Sequence, residues 1–198
     1  MTQKNISIKK YIQDIYDVLN NTKVTNKSAK IIDLNEATSK IINYIIKAKE
    51  TNNKVILIGN GGSAAIASHA QNDMCKAVGI KSIVFTEQPL LTALSNDDGY
   101  ENAYQKLIEL WADKNDLLFA VSSSGNSENI IKAINAADKK QCDIITFTGF
   151  TPENTIRKMG KLNFYINSMQ YGHVEMSHSI LIHYLTDQAK DILNKHAK

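Results

Sequence analysis

The sequence predicts an α/β fold, a parallel sheet covered by helices on both faces. Three observations carry that expectation. Five short apolar runs, rich in β-branched and aromatic residues, recur along the chain, and helical patterns fall between them. Two of the runs end in loops of small residues that open directly into a helix. Right-handed crossovers between parallel strands place a ligand site at the carboxyl ends of the strands, where those loops lie.

The elements follow in order. Residues 6–19 read as an amphipathic helix, with Ile8, Tyr11, Ile12, Ile15, Val18 and Leu19 at three- and four-residue spacings. A polar stretch, NNTKVTNKSAK, interrupts the pattern. A second helix is expected over residues 34–49, its apolar face made by Ile41, Ile42, Ile45 and Ile46. Both precede the first strand, so they form an added layer that either serves oligomer contacts or packs on its own domain. Strands are expected at residues 55–58, 82–85, 117–121, 144–147 and 162–166. Helices are expected between them at 63–78, 101–113, 127–139 and 153–159, and a long last helix at 174–193. Two prolines and no repeat or low-complexity tract leave nothing to mark a boundary. The expectation is one domain over residues 1–198, with 1–52 a helical extension and 53–198 the ligand-binding core.

Composition narrows the partners. With 43% hydrophobic and 22% charged residues over 198 positions, the chain has the makings of a globular core rather than a disordered or fibrous one. A net charge of +3 from dispersed basic residues argues against nucleic acid, which needs a concentrated basic face, and suits a small anionic ligand. No segment approaches the roughly 18 apolar residues of a membrane span. The start, MTQKNISIKKYIQDIYDVL, carries Asp14 and Asp17 and lacks a signal peptide's apolar stretch. Cys75 and Cys142 lie far apart without a CxxC pattern, which reads as free, partly buried thiols. A cytoplasmic location is expected.

Two loops carry the chemistry. The first strand runs into Gly59-Asn60-Gly61-Gly62-Ser63 and then a helix. Glycines let backbone amides approach an anion, and the helix start supplies unpaired N–H groups and a favourable dipole. Gly59-x-Gly61-x-x-Ala64 also fits a relaxed dinucleotide fingerprint, but the acidic residue that should follow, Glu87, comes late. The loop Ser122-Ser123-Ser124-Gly125-Asn126-Ser127 decides for phosphate, because four hydroxyls and a glycine at a strand end offer side-chain and backbone donors together. No GK[ST] follows either loop, which disfavours nucleotide hydrolysis.

Acid–base candidates stand apart from the loops. His69 and Asp73 lie four residues apart, on one face of the helix that follows the first loop. His173, Glu175, His178 and His183 crowd the start of the last helix. Glu175 and His183 are two turns apart, with roughly 80° of rotation between them, and converge only on something set to one side. His178 reads as a packed structural residue, His173 as a loop residue, and Trp111 as ordinary core.

Taken together and in this order, GNGGSAAIASH, ALSND before Gly99-Tyr100, SSSGNS, FTG at 147–149 and EMSHSILIH resemble the sugar isomerase (SIS) family, most nearly its phosphoheptose isomerases. The resemblance spans about residues 55–193. It implies a three-layer α/β/α sandwich with a five-stranded parallel sheet, assembly as a homotetramer, and active sites between subunits. It implies a phosphate held by Ser122, Ser123, Ser124 and Ser127. Asn60, Gly61, Gly62 and Ser63 then line the same pocket, with Asp97 near the sugar. His183 takes the place of the catalytic histidine and Asp73 that of the catalytic glutamate. His69, Asp73, Glu175 and His183 fall where metal-containing members hold zinc, a ligand set of two imidazoles and two carboxylates compatible with that ion.

Two positions depart from the family pattern. Asp73 is one methylene shorter than the usual glutamate, and Glu175 replaces the usual glutamine, adding a charge that favours a divalent metal. The function implied is aldose–ketose isomerisation of a phosphorylated sugar, sedoheptulose 7-phosphate first, through an enediol. A non-catalytic phosphosugar-binding or regulatory protein, and an isomerase of another phosphosugar, are the alternatives.

Overall fold

The computed structural model describes residues 6–196. Helix α1 (Ile8–Asn20) starts at Ser7, whose hydroxyl accepts the Lys10 amide at 3.2 Å. The polar stretch that follows is not a plain linker. It holds β1 (Lys23–Asn26) and β2 (Ile31–Ile32), an antiparallel hairpin with Val24 opposite Ile32. Asn26 builds the turn, its side-chain oxygen accepting the amides of Ser28 and Lys30. Only Val24 and Thr25 of this stretch are buried, too few apolar positions for a periodic signal to show. Asp33 then caps α2 (Leu34–Glu50) by accepting the amides of Asn35 and Glu36.

The alternating core begins at β3 (Val55–Gly59), followed by α3 (Gly62–Asp73), which runs on as a π-helical turn, Met74–Val78. After β4 (Ser82–Val84) come α4 (Gln88–Asp98) and α5 (Tyr100–Trp111), split at Gly99. Then follow β5 (Leu117–Ser122), α6 (Glu128–Lys139), β6 (Asp143–Thr148), a 3-10 turn at Thr155–Lys158, β7 (Leu162–Tyr165) and α7 (Tyr171–His196).

All seven strands join one sheet, in the order β2-β1-β7-β6-β5-β3-β4. Five of them, β3 to β7, are parallel, matching the expected number, and the β1–β2 hairpin adds two antiparallel strands beside β7. Side chains alternate between two cores, as a sheet covered on both faces requires. Val55, Leu57, Phe119, Val121, Phe147 and Phe164 face α2, α3 and α7. Ile56, Ile58, Leu118, Ala120 and Ile144 face α5 and α6. Helix α2 buries Ala37, Ile41 and Ile45 in the first of these cores, sharing it with the strands.

Three expectations need correction. The helix expected at residues 153–159 shrinks to one 3-10 turn, since Asn154 is held in extended backbone with its amide on the carbonyls of Gly149 and Thr151. Helix α4 was not expected, and none of its residues is buried, so no apolar period marked it. Trp111, expected in the core, is 49% exposed at the end of α5, where the chain turns toward β5.

Candidate active site

Strand order reverses between β3 and β5, which pair in parallel with Gly59 beside Val121. This register brings the two small-residue loops together at the carboxyl end of the sheet, the usual ligand position in such folds. Gly61 has φ +53°, a left-handed conformation that lets the chain turn from β3 into α3. Gly125 has φ +63°, and a Cβ there would run into the Asn154 side chain.

Between the loops lies a cleft of about 230 Å³, lined by Asn60, Gly61, Gly62, Ser63, Ser122, Ser123, Ser124, Ser127, Tyr171 and Glu175. Ser122 and Ser124 turn their hydroxyls onto the loop itself, accepting the amides of Gly125 (3.1 Å) and Asn126 (3.3 Å). Ser127 is the N-cap residue of α6, yet its side chain makes no cap bond. Ser123 is buried, and its Oγ has no hydrogen-bond partner among the described residues. Buried hydroxyls are ordinarily paired, so this one is set to receive an oxygen from outside the chain. Among the described residues, no lysine or arginine lines the cleft. What the cleft offers an anion is hydroxyls, backbone amides and the start of α6.

Glu175 lies in this cleft, apart from the other three residues read as a metal set. Its carboxylate sits over Gly62, where a Cβ would overlap both of its oxygens, at the first turn of α3. A carboxylate is stabilised at a helix start, so Glu175 takes that position on α3. The start of α6 with its serine loop carries no such carboxylate in the cleft lining. Asp97 is exposed on α4 and does not line the cleft; it accepts from the neighbouring Asn96 side chain.

The acid–base candidates meet in a separate, smaller depression of about 10 Å³ lined in part by His69, Asp73 and His183. Asp73 Oδ2 lies 3.4 Å from His69 Nε2 and 3.3 Å from His183 Nδ1. The two imidazole rings tilt against each other with centroids 4.7 Å apart. Asp73 closes α3 where the π-helical turn begins, an irregularity frequent at functional sites. The ligand atoms of the three residues lie within 4.8 Å of one another. Two imidazoles and one carboxylate are the ligand count and types of a zinc site that keeps an open position, so this set fits that ion.

His178 is buried and packs against Phe147, and its Nε2 donates to the Thr148 carbonyl at 3.1 Å. Burial pushes its pKa down to about 4, so it stays neutral at ordinary pH. This agrees with its reading as a structural residue. His173, expected in a loop, is buried in the first turn of α7, edge-on to Tyr11 of α1. Tyr171 was not anticipated from sequence, because a single tyrosine at a helix start carries no motif.

These two loops on a reversing parallel sheet define a class, and comparison with known proteins agrees. The SIS domain family matches residues 10–149, and the chain belongs to that family. Among its relatives is the phosphoheptose isomerase of Aliarcobacter butzleri, 35% identical over 142 residues that cover 68% of this chain and 71% of the relative. The phosphoheptose isomerase of Helicobacter hepaticus is 29% identical over 80% of this chain and 83% of its own length. The phosphoheptose isomerase structure from Neisseria gonorrhoeae superposes with a TM-score of 0.80 over 93% of this chain and 97% of that one, at 24% identity, which shows the shared fold.

Proposed function

We propose that the protein is a phosphosugar isomerase that converts sedoheptulose 7-phosphate into an aldoheptose 7-phosphate. One observation carries the reading: a carboxylate, Asp73, within 3.4 Å of two imidazoles on helices α3 and α7, the same helices that wall the serine-lined cleft. The similarity to phosphoheptose isomerases supports the choice of sugar.

In this reading the phosphate sits on Ser122, Ser123, Ser124 and Ser127, with Asn60, Gly61, Gly62 and Ser63 beside it. Glu175, fixed over Gly62, accepts hydrogen bonds from sugar hydroxyls. Asp73 takes the proton from C1 of the ketose, leaving an enediol, and returns a proton to C2. His183 moves the proton between the two oxygens, while His69 orients the shared carboxylate. His69, Asp73 and His183 would hold zinc, which when bound supplies a Lewis acid for the sugar carbonyl. In each copy a single SIS domain, with 53–198 as its phosphosugar-binding core, carries these residues. Two cysteines that form no disulfide, Cys75 exposed and Cys142 buried, suit a cytoplasmic setting.

The assembly belongs to the same proposal. Ile8, Ile12 and Tyr16 on α1, and Met176, Ile180 and Tyr184 on α7, form two ridges at four-residue spacing, each residue more than 40% exposed. Apolar ridges of this length call for a partner surface. Eight residues of helix also separate Glu175 from His183, about 12 Å along the axis. A homotetramer whose copies pack through α1 and α7 covers the ridges and brings further side chains to the site.

The test is direct: purified protein is given sedoheptulose 7-phosphate, and aldoheptose 7-phosphate is measured. Steady formation supports the reading. Binding of the sugar without conversion overturns it.

A further inference from the structure

Asn60 faces the cleft, and its side-chain amide is fully specified by residues outside it. Its Nδ2 donates to Asn129 Oδ1 at 2.9 Å, and its Oδ1 accepts from Asn129 Nδ2 at 2.8 Å, a closed reciprocal pair. Asn129 lies in the first turn of α6, only 3% exposed, directly behind the serine loop. Tyr100, the first residue of α5, donates its hydroxyl to the same Asn60 Oδ1 at 2.7 Å.

The orientation of the pair follows from a single donor that cannot be reversed. The backbone N–H of Ile130 is shared between the Ser127 carbonyl and Asn129 Oδ1, each 3.0 Å away, and the end of Asn129 that it meets must be an acceptor oxygen. This fixes which end of Asn129 is oxygen, and the reciprocal pair then fixes Asn60. Tyr100 must donate rather than accept. Both acceptor positions of Asn60 Oδ1 are filled, and one N–H of its Nδ2 is uncommitted. One turn along α5, Tyr104 donates to the Gly59 carbonyl at 2.8 Å, so the same helix also grips the residue before Asn60.

We infer that Asn129 and Tyr100 are positioning residues for the substrate. They hold the first loop against the second and present Asn60 to the cleft as a hydrogen-bond donor only, matched to a phosphate or sugar oxygen. The inference rests on the proposed phosphosugar site but not on its chemistry. Tyr100 is 45% exposed, so its hydroxyl contributes little to packing, and a phenylalanine there preserves the fold.

The experiment is a set of double-mutant cycles. Asn129→Ala and Tyr100→Phe are made alone and in an Asn60→Ala background, and two quantities are read. These are KM and kcat for sedoheptulose 7-phosphate, and Kd for inorganic phosphate by calorimetry. Alone, Asn129→Ala should weaken ligand binding about tenfold and Tyr100→Phe about threefold, with the change in KM rather than kcat. In the Asn60→Ala background both effects should fall to within about 1.5-fold, because the residues act through Asn60. Equal losses in both backgrounds overturn the inference, as does an unchanged KM and Kd in Tyr100→Phe, which does not depend on Asn129→Ala folding. A protein that binds phosphate but fails to isomerise the sugar removes the proposed reaction. The cycle on phosphate Kd then still decides the role of the pair.

Discussion

His183 Nδ1 lies 3.3 Å from Asp73 Oδ2, joining the last helix to the helix that follows the first glycine-rich loop. The same oxygen is 3.4 Å from His69 Nε2, so one carboxylate oxygen serves two imidazoles. Sequence spacing brings His69 and Asp73 to one helix face, but His183 arrives from 110 residues later and only through the packing of α7 on α3.

That geometry makes zinc binding a measurable property of the trio. Zinc at about a hundredfold over its Kd should stabilise the protein by roughly 2.7 kcal/mol and raise Tm accordingly. His69→Ala should abolish most of the rise. A wild-type Tm indifferent to zinc, or an equal rise in His69→Ala, would place the ion elsewhere or nowhere.

Ser123→Ala should separate binding from stability. The buried Oγ has no partner among the described residues, so its removal should leave stability unchanged or raise it by up to about 1 kcal/mol. Phosphate affinity should fall roughly tenfold, because a neutral hydrogen bond to the anion is lost. Calorimetric titration and a urea melt check both halves. A clear loss of stability would mean that the hydroxyl is satisfied within the fold.

His178 should make stability depend on pH in one direction. Its folded pKa is depressed to about 4 from an ordinary value of 6.5. Between those values the unfolded chain takes up a proton that the folded chain refuses. Stability is therefore complete above about pH 6.5 and falls as the pH drops toward 4, by about 1.4 kcal/mol per pH unit and about 3 kcal/mol in all. Urea denaturation at pH 7.5 and pH 5 should show a drop in wild type that is smaller by about 2 kcal/mol in His178→Gln. Equal drops in the two proteins would contradict the account.

Much of this was legible in the sequence, for physical reasons that differ by element. Strands β3, β5, β6 and β7 are buried on both faces, so each appears as a short apolar run between polar bounds. The loops were legible because glycines and serines at strand ends have few structural uses in such numbers. Helix α4 was hidden because none of its residues is fully buried, and β1 because a four-residue strand with two buried positions makes no pattern. Trp111 misled because size suggests burial, whereas its position at a helix end leaves it half exposed. Glu175 shows the limit at the site itself. The family resemblance grouped it with His183, but only coordinates show it over Gly62, in the serine-lined cleft. The Asn60–Asn129 pair joins the first loop to helix α6 across 69 residues of sequence, and nothing in either segment announces the other.

The central claim, that Asp73 is the base of a phosphosugar isomerase, is tested most directly by the turnover of Asp73→Asn on sedoheptulose 7-phosphate beside wild type and His183→Ala. The substitution keeps the shape of the side chain and removes its basicity. The account predicts that kcat falls by at least about 10²–10⁴-fold in both variants while inorganic phosphate binds with Kd within about threefold of wild type. Turnover by Asp73→Asn within tenfold of wild type would contradict it.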